Sequence, residues 1–100
     1  MELIDQISDR LKAIADPTRL RILRILGECR GNDCGQMICV NALAKKIGIT
    51  QSAVSQHLKI LRQAGFVKSE RRGYFIHYGL NPDQLEHVCE QLQQILSQMT

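Results

Sequence analysis

From Thr50 onward the chain carries Gln51, Ser52, Ser55, Gln56, Lys59 and Arg62, spaced so that they fall along one face if the segment is helical. Hydroxyls and amides at the start of a helix suit base edges. Gln can pair with adenine through two hydrogen bonds, Ser can bond a base or a phosphate, and a helix N-terminus itself favours phosphate. Lys59 and Arg62, further along, suit the sugar-phosphate backbone. His57 sits beside the apolar stripe of the same segment, where it can orient the helix, touch phosphate or reach a base. The pair Arg71-Arg72, followed by Gly73-Tyr74, fits a hairpin tip laid on phosphates or in a minor groove. The ordinary alternative for all of these is a solvated charged surface, which is usually richer in Glu and Lys than in Ser and Gln.

A second set of reactive groups is the thiol series Cys29, Cys34 and Cys39, with Cys89 far from it. On one continuous helix a five-residue step turns about 140° past a full circle, so the three would point apart, whereas a loop could gather them. Three thiolates suit trivalent arsenic or another soft ion, and with a fourth ligand they suit zinc. Reversible oxidation, helped by a cation such as Arg30, is a second use, and three unrelated thiols is the third. Cys89 lies next to an apolar stripe and is expected to be a packed core thiol.

Charge concentrates where the first set lies. Residues 1–44 balance at zero, residues 45–72 hold seven basic side chains against Glu70 alone, and the tail from Asn81 has three acids and no Lys or Arg. A basic middle of this kind fits a polyanion, because neutralising phosphates releases counterions. A catalytic reading finds little support. His57, His77 and His87 are scattered, and neither a phosphate-binding Gly loop nor a nucleophile motif is present. The start, Met1-Glu2-Leu3-Ile4-Asp5, lacks the character of a secretory signal, and no apolar run is long enough for a bilayer, so a cytoplasmic protein without membrane contact is expected.

The elements that must hold these residues follow from period and punctuation. Ile4, Ile7, Leu11 and Ile14 mark a first helix ending near Ala15. Asp16 caps a second from Pro17 to about Leu26, stopped by Gly27, with Leu20, Leu23 and Ile22 or Leu26 inward. Residues 28–37 read as loop or irregular extension. Val40, Leu43, Ala44 and Ile47 define a third helix ended by Gly48, and Thr50 caps a fourth that buries Val54, Leu58 and Leu61 and ends at Gly65. Phe66–Glu70 and Tyr74–Leu80 are β-prone, with Arg71-Arg72-Gly73 as the hairpin tip. Asn81 caps a last helix carrying Leu85, Val88, Leu92, Ile95 and Met99. The order α-α-α-α-β-β-α describes one mainly helical domain over residues 1–100, a winged helix-turn-helix in which a short Gly turn lets two helices cross steeply. Helices over about 3–15 and 82–99 expose stripes (Ile4, Ile7, Leu11; Leu85, Val88, Leu92, Ile95, Met99) suited to a second copy or to internal packing.

Three stretches carry a family resemblance: Ala15-Asp16-Pro17-Thr18-Arg19-Leu20-Arg21-Ile22-Leu23, Val40-Asn41-Ala42-Leu43-Ala44, and residues 51–67, from Gln51-Ser52-Ala53-Val54-Ser55-Gln56-His57-Leu58 to Gly65-Phe66-Val67. From about Leu11 to Leu80 the chain resembles the ArsR/SmtB metal- and stress-responsive repressors. The resemblance implies a homodimer built by the first and last helices, which binds an imperfect inverted repeat in double-stranded DNA and leaves it when an inducer binds. The residues expected at that DNA are Thr50, Gln51, Ser52, Ser55, Gln56, His57, Lys59, Arg62, Arg71 and Arg72. Many members carry Cys-Val-Cys-Asp-Leu on the third helix for soft metals. Here that segment is Cys39-Val40-Asn41-Ala42-Leu43, without the second thiol, and Pro82, Gln84, Ile95 and Gln98 do not supply the family's other ligand set on the last helix. Release by a soft metal or metalloid at Cys29, Cys34 and Cys39 is the leading expectation. A thiol redox sensor, and a winged-helix module that binds protein without any ligand, are the alternatives.

Overall fold

A computed structural model describes residues 2–28 and 37–100. The order is α1 (Leu3–Ile14), α2 (Pro17–Glu28), β1 (Ile38–Cys39), α3 (Val40–Ile47), α4 (Gln51–Gln63), β2 (Val67–Arg72), β3 (Phe75–Leu80) and α5 (Pro82–Gln98). The helices close over one apolar core in which Ile22, Leu26, Leu43, Val54, Leu58, Leu61 and Phe66 are fully buried. Among the described residues no helix is long and apolar enough to cross a membrane.

Helix starts follow the expected chemistry in two of three cases. The Asp16 carboxylate accepts from the Arg19 amide at 3.0 Å, and the Thr50 hydroxyl accepts from the Ala53 amide at 3.1 Å, each satisfying a donor that has no partner within its own helix. Asn81 behaves differently from expectation. Its side chain makes no cap bond but donates to the Gly65 carbonyl at 3.1 Å, while its own amide donates to Phe66 at 2.9 Å. Asn81 therefore ties α5 to the end of α4, and Pro82 alone marks the helix start.

Several boundaries shift. Gly27 does not stop α2, which runs on to Glu28. A Cβ there would stand 3.4 Å from the Leu80 methyl, so the glycine lets β3 lie close against the helix instead of ending it. Leu20, expected inward, is 52% exposed, because Ile22, Leu23 and Leu26 set the buried arc and Leu20 lies roughly a third of a turn from it. The pair Ile38–Cys39 forms a third strand, giving an antiparallel sheet ordered β1-β3-β2, with Ile38 opposite Tyr78 and Cys39 opposite His77. Two residues carry no legible period, and the pair falls between the expected loop over 28–37 and the third helix. The hairpin also reaches further than expected. Arg71 and Arg72 belong to β2, Arg72 pairs with Phe75, and only Gly73-Tyr74 turns the chain.

The turn between α3 and α4 rests on Gly48, at φ 85°, whose amide closes on the Ala44 carbonyl at 2.8 Å. No heavy atom lies near where a Cβ would be, so only backbone conformation is at stake. Gly48→Ala is expected to cost about 1–2 kcal/mol, the usual penalty of a left-handed L-residue, read as a lower urea midpoint at unchanged slope.

Candidate nucleic-acid interface

Helix α4 divides its residues between two faces. Val54, Leu58 and Leu61 have no solvent exposure, while Gln51, Ser52, Ser55, Gln56, Lys59 and Arg62 are all exposed. The buried stripe anchors the helix and leaves the hydroxyls, amides and cations as one continuous surface. Thr50, at the cap, keeps its hydroxyl on the Ala53 amide, so it shapes the helix start from the same end of that surface. Lys45 and Lys46, exposed in the last turn of α3, extend the positive charge toward it.

His57 departs from this surface. It is half-buried, its Nδ1 lies 3.2 Å from an Arg19 guanidinium nitrogen, and the same atom lies 4.0 Å from the Asp16 carboxylate. Arg19 in turn donates to the Ala13 carbonyl at 2.6 Å and to that of Lys12 at 3.4 Å. The start of α2, the end of α1 and the middle of α4 are thus joined through one guanidinium. Of the sequence-based roles for His57, orientation of the helix is the one this geometry supports. Asp16 and Arg19 were read only as cap and as motif residues, since nothing in a sequence links position 19 to position 57.

The Asp16 carboxyl is held below its ordinary value of 3.8, first by the Arg19 amide bond, which outweighs the penalty for leaving water, and then by the nearby Arg19 and His57 charges. A depressed carboxyl stabilises the fold above its ordinary value and loses that contribution as pH falls through the folded value. Asp16→Asn keeps a cap acceptor but not the charge. The variant should therefore be less stable than wild type at pH 7, and the gap should close below about pH 4. Urea unfolding at both pH values and one protein concentration measures this.

On the hairpin, Arg71 Nε donates to the Gly73 carbonyl at 3.2 Å. Arg72 reaches the Glu70 carboxylate at 3.3 Å and the Met37 sulfur at 3.4 Å. Both arginines flank the turn rather than form it. The turn itself presents Tyr74, 94% exposed, next to exposed Phe75 and Ile76 at the start of β3, which makes the tip aromatic as well as basic.

Cys39 is half-buried and unpaired at the junction of β1 and α3. Cys29 and Cys34 lie outside the described residues, as does Arg30. Among the described residues no three Cys, His, Asp or Glu side chains converge on a metal-sized site. Cys89 is exposed on α5, contrary to its expected place in the core, because the arc that turns inward there centres on Val88.

The terminal stripes separate into two groups. Ile7 and Val88, expected at an interface, are closed within the protomer, at 3% and 2% exposure. Leu11, Leu85 and Ile95 pack partly against the core, Leu92 is half-buried, and Ile4 and Met99 are exposed. An apolar groove of about 340 Å³ runs between α1 and α5, with Ile4, Leu11, Leu92, Leu96 and Met99 in its walls.

Comparison with known proteins agrees with this arrangement. Residues 16–69 match the model of the bacterial regulatory protein, arsR family, a span that takes in α2, α3, α4 and the start of the hairpin. The chain is 37% identical over 87 residues to the helix-turn-helix transcriptional repressor SmtB of Mycobacterium tuberculosis, a match that covers 87% of this chain but only 59% of that one. It is 36% identical over 90 residues to the arsenical resistance operon repressor of Bacillus subtilis, covering 90% of this chain and 80% of that one. The fold superposes on the homodimeric winged helix-turn-helix DNA-binding domain from Mycobacterium bovis with a TM-score of 0.71 and 28% identity, over 96% of this chain and 82% of the other. A winged helix-turn-helix with a small antiparallel wing, matched over more than half its length by one family, identifies the chain as a member of the ArsR family of helix-turn-helix transcriptional regulators, which are not enzymes.

Proposed function

We propose that the chain is a cytoplasmic homodimeric repressor that reads an inverted repeat in double-stranded DNA through α4. The observation that carries this reading is the α4 surface. Six exposed residues of base- and phosphate-binding type stand over a stripe with no solvent exposure, inside a segment of net charge +6. Gln51, Ser52, Ser55 and Gln56 read bases, Lys59 and Arg62 hold phosphates, and Arg71 and Arg72 brace the wing. The dimer forms through the α1–α5 groove. In support, Ile4, Leu96 and Met99 leave apolar surface exposed along that groove. Fluorescence anisotropy with duplex DNA tests the reading. Affinity should fall steeply with salt, whereas a protein-binding module would show little dependence.

Release by a soft metal or metalloid at thiolates is the finer part of the proposal. Cys39 supports it, since across the strand pair it faces His77, whose Nδ1 is buried without a hydrogen-bond partner among the described residues. A nitrogen left in that state is costly unless something binds it. Cys29 and Cys34 would complete the ligands. Gel-shift titration with arsenite, zinc and an oxidant, on wild type and on Cys29→Ser/Cys34→Ser/Cys39→Ser, separates metal from redox sensing. Equal DNA release by both proteins would remove the thiols from the account.

A further inference from the structure

A groove of about 720 Å³ opens between α1 and α4, with Asp9, Arg10, Lys12, Arg19, Ile60 and Ala64 in its walls. Its volume is that of an ordinary small-molecule site, about 300–1,000 Å³. It lies along the second half of α4, about one turn beyond Gln56, the last of the proposed base readers. Ile60 is nine residues beyond Gln51, about 13 Å along the axis.

Its electrostatics are unusual for a merely structural cleft. Arg10 donates to the Gln84 side-chain oxygen at 2.8 Å and to the Ala64 carbonyl at 3.4 Å, and its guanidinium lies 4.8 Å from the centre of the Phe66 ring. Arg19 donates to the carbonyls of Ala13 and Lys12 and lies against His57. The guanidinium partners are neutral acceptors or rings, while the Asp16 carboxylate is held by the Arg19 main-chain amide and feels the Arg19 charge from beside the groove. Among the described residues neither guanidinium has a carboxylate within 4.0 Å. Each guanidinium has five donors, so both retain capacity for an anion. Asp9 is the one acid in the wall against three cations, while Ala13, Ile60 and Ala64 add apolar surface. The volume and the 40% exposed Ile60 call for a carbon body as well as a charge.

We propose that this groove binds a small organic monocarboxylate, its head on Arg19, its apolar body on Ala13, Ile60 and Ala64, and Arg10 adding positive charge further along the same wall. Arg19 also makes the bond to His57 of α4, so an anion that draws Arg19 into the groove competes with that bond and loosens the reading helix. DNA and carboxylate binding are then reciprocally coupled. This last consequence rests on the DNA-binding reading; the site does not.

Nuclear magnetic resonance of the full ¹⁵N-labelled chain, titrated with benzoate and hexanoate and in parallel with benzamide and hexanamide, tests the site. Saturable shifts are expected at the Arg10 and Arg19 side-chain Nε–H groups and at the amides of Ala13 and Ile60, with the neutral amides about tenfold weaker. Ile60→Glu, which puts a carboxylate in the groove from a partly exposed position, should abolish the shifts while leaving the rest of the spectrum folded. Equal response to acids and amides, an unchanged response in Ile60→Glu, or no saturation by about 10 mM probe overturns the site. Anisotropy with duplex DNA adds the second arm, in which benzoate lowers affinity in wild type and not in Ile60→Glu. Saturating shifts in a protein that binds no duplex would uphold the site and overturn the DNA reading. Saturating shifts with unaltered DNA affinity would overturn the coupling.

Discussion

Leu96→Glu should convert the dimer to monomers and lower operator affinity by about 100-fold, since joining two half-site readers raises avidity by about 10²–10⁴. Leu96 is 50% exposed on the edge of the α1–α5 groove, beside Ile4 at 55% and Met99 at 67%. Burying a leucine contributes about 1.5–3 kcal/mol, and forcing a carboxylate into apolar surroundings costs several more. In an isologous dimer the change occurs twice, so its effect on association doubles. Within the protomer little is lost, because Leu96 does not belong to the buried set. Light scattering should give twice the protomer mass of 11.3 kDa for wild type and the protomer mass for the variant. A variant that stays dimeric would move the interface away from this groove.

The second large effect belongs to the reading surface. Gln51→Ala/Ser55→Ala/Gln56→Ala should weaken binding to a selected site by about 1,000-fold, since a good bidentate base contact is worth about 1–3 kcal/mol of discrimination. Binding to random duplex should hardly change, because phosphate contacts supply it. Stability should be equal or slightly higher, as all three positions are exposed and alanine is the best helix former. Lys59→Gln gives the contrasting signature, an affinity loss shared by all sequences and a salt slope shallower by about one. Anisotropy with specific and random duplexes distinguishes the two variants directly.

What could be read from the sequence depended on how local the controlling interaction was. The α3 helix and its Gly48 stop, the Thr50 cap and the Val54, Leu58 and Leu61 stripe are set within a turn or two of themselves, and the structure has each in place. The β1 strand was not legible, because a two-residue strand exists only through its pairing with β3, about 40 positions away. The same holds for the link from Arg19 to His57, for Asn81 bonding Gly65 rather than its own helix, and for Gly27, whose purpose is the closeness of Leu80.

The terminal stripes illustrate a different limit. A spacing of three and four says that a face is apolar, but not whether its neighbour is the same chain or another copy. Ile7 and Val88 turned out to seal the protomer, while Ile4, Leu96 and Met99 on the same helices stayed open. Among the described residues Cys39 stands for the series, opposite His77 across the β1–β3 pair.

A dimer that presents two copies of α4 to one duplex must read the same half-site twice, in opposite directions. Repeated selection of duplexes from a randomised pool by the full chain, followed by sequencing, tests it most directly. The expected product is an inverted repeat with half-site centres about 10–10.5 base pairs apart or a multiple of that, lost when Gln51, Ser55 and Gln56 are replaced by alanine. Recovery of no enriched sequence, or of an enriched sequence that the triple variant selects equally well, would contradict it.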